Sequence, residues 1–548
     1  MTNPKKIFNT HDLKIWLQAI DKAINGNLKE AIILYEKLLK KDFKNQDVNY
    51  ELSLLYLRVD RYYEAYNCME RSFENYQNNI NYLNDFSIIC TKLGYFEKAE
   101  YLSKRAFDKE PENPSHLINL GAIYNLMGKY DDALRVIEHA IQINPIESKY
   151  YNLMGAILVK CGLDTVAKKM FEVACALDAS YIEPKVNLAV LSSKNGDHSK
   201  SINLLEEAIA NTDENDLNST SSSQIKYILS FNYLSLGRIK EGWEYYDMGF
   251  DLNIPSNSRR NPVRQFKKPM WNGEFVEGKR VLLWREQGLG DEIMFYTCLS
   301  ELVDVDMTVI VECDERLVEI LSRSFPQFLI RKENFNQLIS KNPIVEDYDC
   351  HLPIGSLMRY FRNDIKQFSS NKSIFKVDEN LADYFERNLI LKKSFKKRIG
   401  ICWRSGLLDF ERNINYFVIE DLIPILINEN FDFINLQYDN CEEELLRIED
   451  LCNIDIIRWK ELDLKNDINS VSALISRLDF VITVDTAVMP IAASIGKHVL
   501  HVGKKGWPNL GTDYHPFFPS VECISPSEGQ VVSDCIPMIN SRLLDLIA

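Results

Sequence analysis

The stretch from Pro114 to Glu147, PSHLINLGAIYNLMGKYDDALRVIEHAIQINPIE, decides the fold of the first half of the chain. Apolar and small residues recur in it at the spacing i, i+3, i+4, i+7, which marks one face of a helix. They are Leu117, Leu120, Gly121 and Tyr124 on a first helix, and Tyr130, Ala133, Ile137 and Ala140 on a second. The stretch therefore predicts two amphipathic helices joined by a turn at Gly128 and closed by Pro145.

The same pattern repeats every 34 residues along the N-terminal half. One column holds the turn residues Gly26, Asp60, Gly94, Gly128, Gly162 and Gly196. Five positions later a second column holds small residues, Ala31, Ala65, Ala99, Ala133, Ala167 and Ser201. These positions resemble the tetratricopeptide signature, and since one hairpin cannot bury its apolar stripe alone, neighbouring hairpins must stack. We expect a superhelix of about six to seven repeats over residues 11–250.

Polar residues interrupt this pattern at 211–223, NTDENDLNSTSSS, and predict an exposed loop. The hairpin that follows, residues 224–250, keeps a turn glycine at Gly237 and has the features of a terminal cap. Residues 251–278 are basic and punctuated by proline and glycine, which predicts a linker. Its charges at Arg259, Arg260 and Arg264 are expected mainly in solvent, with docking on the next domain as the alternative.

From Arg280 short apolar strands alternate with helical stretches, a pattern typical of parallel sheets with crossover helices. The predicted strands are RVLLW, MTVIVEC and QFLIR, then RIGICW, FDFINLQ, IDIIRW, LDFVITV and HVLHV. We predict two Rossmann-like domains, at residues 279–390 and 395–548. In such sheets ligands bind beyond the carboxyl ends of the strands. Four segments lie there: Glu286–Asp291, Trp403–Gly406, Leu436–Tyr438 and Val484–Ala487.

Composition limits the functional classes. Lys and Arg total 64 against 79 Asp and Glu, and the net charge of -15 argues against attachment to nucleic acid or anionic lipid. The 12 cysteines lack metal-binding or CxxC spacing, which predicts reduced, buried thiols. Neither a signal peptide nor a long apolar run occurs, so we expect a cytoplasmic protein without a transmembrane segment.

Several motifs together resemble the heptosyltransferase-like glycosyltransferases of family nine, in the bacterial group where tetratricopeptide repeats precede the transferase. They are the linker PMWNGE, EQGLGDEI, ICWRSG, NLQYD, VDTAV and GTDYHPFFPS, and with the repeats they cover essentially the whole chain. The resemblance implies a GT-B fold, with the acceptor on the first Rossmann-like domain and the sugar nucleotide on the second. It also implies an inverting reaction without a metal, in which the nucleotide sugar is a co-substrate and no further cofactor takes part.

The resemblance assigns roles to particular residues. Asp291 becomes the general base, and Arg404 a catalytic cation that neutralises the departing diphosphate. Donor binding falls to the glycine-rich loop, the strand ends and one helix start: Gly288, Gly290, Ser405, Arg412, Gln437, Asp485, Thr486, Ala487 and Val488.

Alternatives stay open for many of these residues. Asp291 and Thr486 sit where residues also cap helices. Either arginine can be part of a structural ion pair, and Asp485 can orient the Thr486 loop. Trp459 or Lys460 is expected to line the nucleotide pocket with Gln437. Capping its own helix is the favoured role of Asp467.

Three residues in the last part of the chain have two alternative roles. His501, Trp507 and His515 either contact the donor base or pack beneath the C-terminal helix. The family commonly carries a histidine just beyond the Asp-Thr pair, whereas this chain has Met489 and Pro490 there. A heptose donor is therefore not assigned.

Three functions remain. The first is glycosyl transfer to a protein held by the repeats, since bacterial flagellin glycosyltransferases include this architecture. The second is transfer to a surface-polysaccharide or lipid-linked glycan. The third is a non-catalytic adaptor with a degenerate transferase domain.

Overall fold

The computed structural model of the chain describes residues 10–210, 222–252, 254, 258–333, 347–368, 373–391, 396–406, 415–527 and 529–545. The chain forms two compact units, Met1–Pro184 and Lys185–Ala548. The boundary falls inside the repeats, so the last two helical hairpins belong to the same unit as the two sheets. The predicted boundary at residue 250 does not coincide with it.

The described part of the first unit consists of helical hairpins, as the period of 34 predicts. Its helices are α1 (Thr10–Ile24), α2 (Leu28–Leu39), α3 (Gln46–Arg58), α4 (Tyr62–Tyr76), α5 (Ile80–Lys92), α6 (Phe96–Lys109), α7 (Pro114–Leu126), α8 (Tyr130–Ile143), α9 (Ser148–Lys160) and α10 (Asp164–Leu177). Each helix packs on the next, and α7 also packs on α5 and on α9. Asn45, Asn79 and Asn113, again 34 residues apart, cap α3, α5 and α7 by accepting a backbone N–H.

The predicted turn column has one backbone conformation. Every glycine in it, and Gly237 in the last hairpin, has a positive φ between 73° and 83°, and Asp60 has a φ of 58°. Residues with a Cβ atom strongly disfavour this left-handed backbone conformation, which explains why glycine recurs at this position. The turn prediction is confirmed.

The small-residue column is buried throughout, with Ala31, Ala65, Ala99, Ala133, Ala167 and Ser201 all at 0% exposure. Close helix approach also requires Gly121, where an added Cβ would lie 2.5 Å from Cδ1 of Ile137. Small side chains therefore set the distance between paired helices, as the sequence predicts.

The second unit begins with the helices α11 (Glu183–Lys194), α12 (His198–Ala210), α13 (Ser222–Ser235) and α14 (Ile239–Tyr246). Strands β1 (Arg280–Trp284), β2 (Thr308–Cys313), β3 (Leu329–Lys332) and β4 (Cys350–Pro353) follow, with helices α15 (Leu289–Phe295), α16 (Val318–Ser324) and α17 (Met358–Phe361). Helix α18 (Glu379–Leu391) leads to β5 (Lys397–Cys402), α19 (Ile423–Leu426), β6 (Phe431–Asn435), α20 (Glu442–Cys452), β7 (Ile456–Ile457) and α21 (Ile468–Ser476). The chain continues with β8 (Phe480–Thr483), α22 (Val488–Ser494), β9 (His498–Val502), β10 (Val521–Ile524) and α23 (Ile536–Asp545).

Two parallel sheets organise these strands, in the orders β3-β2-β1-β4 and β10-β9-β8-β5-β6-β7. In register, Leu282 pairs with Ile310 in the first sheet, and Ile401 pairs with Ile482 in the second. The predicted strands are confirmed, while β4 and β10 were not predicted. Helix α18, assigned from the sequence to the first domain, packs against α21, which precedes β8 of the second sheet.

The linker is anchored rather than solvated. Arg260 is 0% exposed and forms ion pairs with buried Glu286 and with Asp247. Arg264 is 8% exposed, and its Nη1 lies 2.7 Å from Glu312 Oε2. The prediction of mainly solvated linker charges is therefore wrong for Arg260 and Arg264, because carboxylates far along the chain neutralise them.

The last hairpin packs against both sheet domains. The indole N–H of Trp243 on α14 donates to the carbonyl of Arg362 at 2.9 Å. Trp507, which follows β9, contacts the rings of Trp243 on α14 and Phe295 on α15, with centroids 6.0 and 6.4 Å away. An aromatic cluster thus joins the hairpin to both domains.

Candidate functional site

Asp291 lies in the first turn of α15, directly after the loop that leaves β1. Burial raises the pKa of its carboxyl to about 6; the hydrogen bond to the backbone of Gly288 opposes this rise and the charge of Glu286 adds to it. A carboxylate with a pKa near neutrality suits a general base, because it is ionised at working pH and still takes up a proton.

The loop before Asp291 is fixed from the protein interior. The carboxylate of Glu286 binds Arg260 and accepts the backbone N–H of Gly355 at 2.8 Å. The next residue, Gln287, has a left-handed φ of 60°. The loop position is therefore set by buried contacts.

Gly290 is where the two sheet domains come together. An added Cβ there would lie 3.6 Å from Cγ of Pro490 and 4.0 Å from Cα of Ala487. The start of α15 thus faces the start of α22. Gly290 therefore lies against Ala487 and Pro490 of the second sheet domain. Donor contacts by Gly288 and Gly290 stay predictions.

Thr486 lies just before Ala487, the N-cap residue of α22. Its hydroxyl accepts the backbone N–H of Val488 at 3.3 Å and lies 3.1 Å from the hydroxyl of Thr483. The Thr486 hydroxyl therefore contacts the first residue of the helix, but Ala487 and not Thr486 occupies the N-cap position. Ala487 and Val488 line the cavity beside Gly290, whereas the Thr486 hydroxyl lies against Thr483, and donor contacts by these residues remain predictions.

Asp485 turns toward a histidine pair. Its Oδ1 lies 2.7 Å from Nε2 of His501. Burial acts to lower the pKa of His501, but the carboxylate of Asp485 overrides it and raises that pKa to about 10. Burial and the charge of His501 lower the pKa of His515 to about 3. Asp485 is therefore held by His501. Trp507, the third residue of this group, packs against Trp243 and Phe295 in the aromatic cluster described above.

Gln437 joins two strand ends of the second sheet. Its side-chain oxygen accepts the backbone N–H groups of Trp403 and Arg404, both at 3.1 Å. Its amide donates to the carbonyl of Arg404 and to Asp439, both at 2.9 Å. The residue is 1% exposed, so it positions the loop after β5.

Arg404 forms ion pairs with Asp439 and, at 2.6 Å, with Glu444. It lines a cavity of about 480 Å³ with Tyr416 and Arg447. This geometry matches the structural ion pair that the sequence left open, and the catalytic role stays a prediction. Arg412 lies outside the described residues.

Three further cavities adjoin one another along the cleft. The first, about 260 Å³, is lined by Gln437, Trp459 and Lys460 among others, and its use for the nucleotide stays a prediction. It shares Tyr438 and Leu464 with a central cavity of about 370 Å³. The central cavity lies between the two domains. Its lining includes Gly290, Ser405, Ala487 and Val488.

The third cavity, about 570 Å³, shares Arg316 and Ile468 with the central one. Arg285 lies in it and forms ion pairs with Glu292, Asp314 and Glu333. The sequence did not single out these charges, because only the fold brings them together.

Asp467 lines the third cavity, and its side chain accepts the N–H of Ser470 at 3.0 Å. The preferred prediction, that it caps its own helix, is confirmed. In the described residues no group of three or more His, Cys, Asp and Glu side chains is arranged to hold a metal ion. None of the helices in these residues is long and apolar enough to span a membrane.

Comparison with known proteins gives partial matches. The family model of the coatomer epsilon subunit matches residues 54–150. Protein FlbA of Caulobacter vibrioides (strain ATCC 19089 / CIP 103742 / CB 15) is 26% identical over 428 residues, which are 75% of this chain and 70% of that protein. A match over 75% of the chain exceeds either the repeats or the sheet domains alone, so it includes parts of both.

Among solved structures, a tetratricopeptide repeat protein from Parabacteroides merdae ATCC 43184 is 15% identical, covering 44% of this chain and 95% of that one, with a TM-score of 0.39. The pilF structure from Pseudomonas aeruginosa is 16% identical, covering 36% and 89%, with a TM-score of 0.30.

Proposed function

We propose that the chain is a glycosyltransferase that moves a sugar from a nucleotide-sugar donor to an acceptor by an inverting, metal-independent reaction. The observation that carries the proposal is the meeting of Asp291 and the Thr486 loop across one cleft. Gly290, next to Asp291, and Ala487 and Val488, next to Thr486, come from two different domains and line one cavity. An in-line displacement needs a base and diphosphate contacts at one cavity, and these neighbouring residues bring the two candidate loops to the same one.

In this reaction the acceptor hydroxyl gives its proton to the carboxylate of Asp291. Its oxygen attacks the anomeric carbon from the side opposite the diphosphate. The carbon–oxygen bond to the diphosphate then breaks, leaving an inverted glycoside and a nucleoside diphosphate. The raised pKa of Asp291 matches it to this proton transfer.

The leaving diphosphate requires hydrogen-bond donors and positive charge. We assign this role to Thr486, Ser405 and the backbone amides of Ala487 and Val488. Arg316 and Lys465 line the central cavity; Lys465 supplies a cation, while Arg316 pairs with Asp314 at 2.8 Å and serves the diphosphate only if a bound donor draws it away. Arg404 serves the diphosphate only if a bound donor draws it from Asp439 and Glu444.

The nucleoside is assigned to the first cavity of the cleft. Trp459 offers an aromatic ring and Lys460 a cation beside the strand ends that Gln437 joins. The acceptor is assigned to the first sheet domain on the other side of Asp291. We propose a protein acceptor such as flagellin, recruited by the repeats.

The decisive experiment is Asp291→Asn in the full chain, assayed for sugar transfer and donor affinity. Transfer is expected to fall by at least about 100-fold, because general-base catalysis contributes about 10²–10⁴. Donor affinity is expected to change little, because a base acts mainly in the transition state. Asp513→Asn is the matched control, since Asp513 is exposed and pairs with Lys505.

A screen of common nucleotide sugars by thermal shift identifies the donor, because a ligand that binds only the folded state raises the melting temperature. Donor binding without turnover, unaltered by Asp291→Asn, would instead favour the non-catalytic adaptor. Transfer to a purified glycan but not to protein would favour the polysaccharide alternative.

A further inference from the structure

The loop between β1 and α15 takes a bend that a non-glycine residue rarely adopts. Gln287 sits at the bend with a φ of 60°. Two contacts hold it. Its backbone N–H donates to the carbonyl of Asn261 at 2.8 Å, and its side-chain amide donates to the hydroxyl of Tyr227 at 3.1 Å. Such a conformation persists only where the surroundings impose it.

Tyr227 belongs to the repeats rather than to the sheet domains. It lies on α13, in the last helical hairpin, and is 5% exposed. Its ring packs on Phe231 and Tyr246, with centroids 4.9 and 5.8 Å away. The hydroxyl is thus held rigidly at the bend.

The residue before Gln287 is also held, by an arginine of the linker that follows the terminal hairpin. Arg260, just after the hairpin, binds Glu286, which immediately precedes Gln287. The same guanidinium binds Asp247, at the C-terminal end of the hairpin, at 2.7 Å. Two successive residues of the loop are therefore fixed from the terminal hairpin and its linker.

We propose that the last repeat hairpin is a working part of the active centre, in which Tyr227 is a positioning residue that holds Asp291 at the cleft through Gln287. The proposal rests on the proposed function of Asp291. It gives the terminal hairpin a role in the chemical step itself, separate from any recruitment of an acceptor by the other repeats.

The charged and titratable groups that act on Asp291 come from two elements. Glu286 lies on its own loop, and Tyr227 and Tyr246 lie on the terminal hairpin. Where α22 comes nearest to Gly290, the contacts are made by Pro490 and by Ala487, the residue just before the helix. Neither residue has a titratable side chain. Loosening the bend is expected to admit water to Asp291 and to lower its pKa toward the ordinary value.

The test is Tyr227→Phe in the full chain, which removes only the hydroxyl. Tyr233→Phe is the matched control, because Tyr233 lies on the same helix and its hydroxyl donates to Glu206 at 2.8 Å, away from the loop. Two properties are measured: hydrogen exchange of the peptide that contains residues 284–291, and the pH profile of kcat/KM for transfer.

Tyr227→Phe is expected to speed exchange in this peptide and to lower kcat/KM by about 10- to 100-fold, the scale of a small misplacement. The acid limb of the profile is expected to move to lower pH. Tyr233→Phe should leave both measurements at wild-type values.

Unchanged exchange and an unchanged profile in Tyr227→Phe would overturn the proposal, as would equal effects in Tyr233→Phe. If the wild-type chain transfers no sugar but Tyr227→Phe still speeds exchange, the proposed function fails while the hold on the loop stands.

Discussion

Ser201 occupies the buried column that alanine fills in the preceding repeats. Its hydroxyl is fully buried and has no hydrogen-bond partner in the described residues. A buried polar group without a partner costs about 1–3 kcal/mol. Ser201→Ala is therefore expected to raise the free energy of unfolding by about 1 kcal/mol, measured by urea denaturation.

Ser103→Ala is the matched control for this substitution. Ser103 is equally buried, but its hydroxyl lies 2.7 Å from that of Ser87. Removing a satisfied hydroxyl should lower stability by about 1 kcal/mol. A loss of stability in Ser201→Ala would show that its hydroxyl has a partner after all.

Asp291 gives a second prediction at the residue scale, in the pH dependence of transfer. Its pKa is raised to about 6 by burial, so the base is protonated and inactive below that pH. We expect kcat/KM to rise with pH through about 6 and then level off. Neighbouring Glu292 has a pKa raised to about 7, chiefly by burial.

The midpoint of the limb distinguishes these two carboxyls. A midpoint near 7 that moves in Glu292→Gln would assign the limb to Glu292 and count against Asp291 as the base. A midpoint near 6 that is unchanged in Glu292→Gln would support Asp291.

The sequence could locate Asp291, because a strand, a glycine-rich turn and a helix start follow one another in a short segment. It could not show that Arg260 is buried, since its partners Glu286 and Asp247 are 26 and 13 residues away. Nor could it show that Asp439 and Glu444 hold Arg404. Charges are buried or solvated according to partners that only the fold brings close.

At the scale of elements, the interhelical turn gives the clearest prediction. Gly128 has a φ of 73°, and an added Cβ would meet nothing within 4 Å. Gly128→Ala should therefore destabilise the repeats by about 1–2 kcal/mol for conformational reasons alone. Asparagine tolerates the left-handed region better, so Gly128→Asn should be less harmful in urea denaturation.

Equal losses for alanine and asparagine would mean that an unrecognised contact, rather than backbone conformation, requires glycine at this turn.

Strand prediction failed where the local pattern was weak. Strand β4 is Cys350–Pro353, four residues with a histidine and a proline, and β10 is Val521–Ile524, with a glutamate inside it. Both lie at sheet edges, and β4 has a parallel bridge between His351 and Met270 in addition to its pairing with β1. The segments CHLP and VECI are too polar to stand out in the sequence, whereas central strands such as β8, FVIT, are apolar enough to be recognised alone.

At the scale of the molecule, the repeat pattern does not reveal where one compact unit ends. The 34-residue columns run through residue 184 without a break, yet the last two hairpins group with the sheet domains. The sequence feature that indicates this grouping is the pair Trp243 and Tyr246 on α14. A terminal cap exposed to water would not need such large aromatic residues. Their partners, Trp507 and Phe295, are remote in sequence.

This division predicts different results for two truncations. A chain of residues 185–548 keeps Tyr227, Trp243 and the whole cleft, so we expect it to bind and hydrolyse the donor as the full chain does. Transfer to a protein acceptor should fall strongly, because the hairpins of residues 1–184 are proposed to recruit it. Both activities are measured with the same donor, and circular dichroism checks folding.

The control is a shorter chain of residues 251–548, which keeps both sheets but lacks the terminal hairpin. It loses the contacts of Trp243 with Arg362 and of Tyr227 with Gln287, so donor hydrolysis should fall as well as transfer. Equal loss of hydrolysis and transfer in the 185–548 chain would make residues 1–184 a structural support instead of an acceptor-selecting arm. Full transfer by that chain would place acceptor recognition in the second unit.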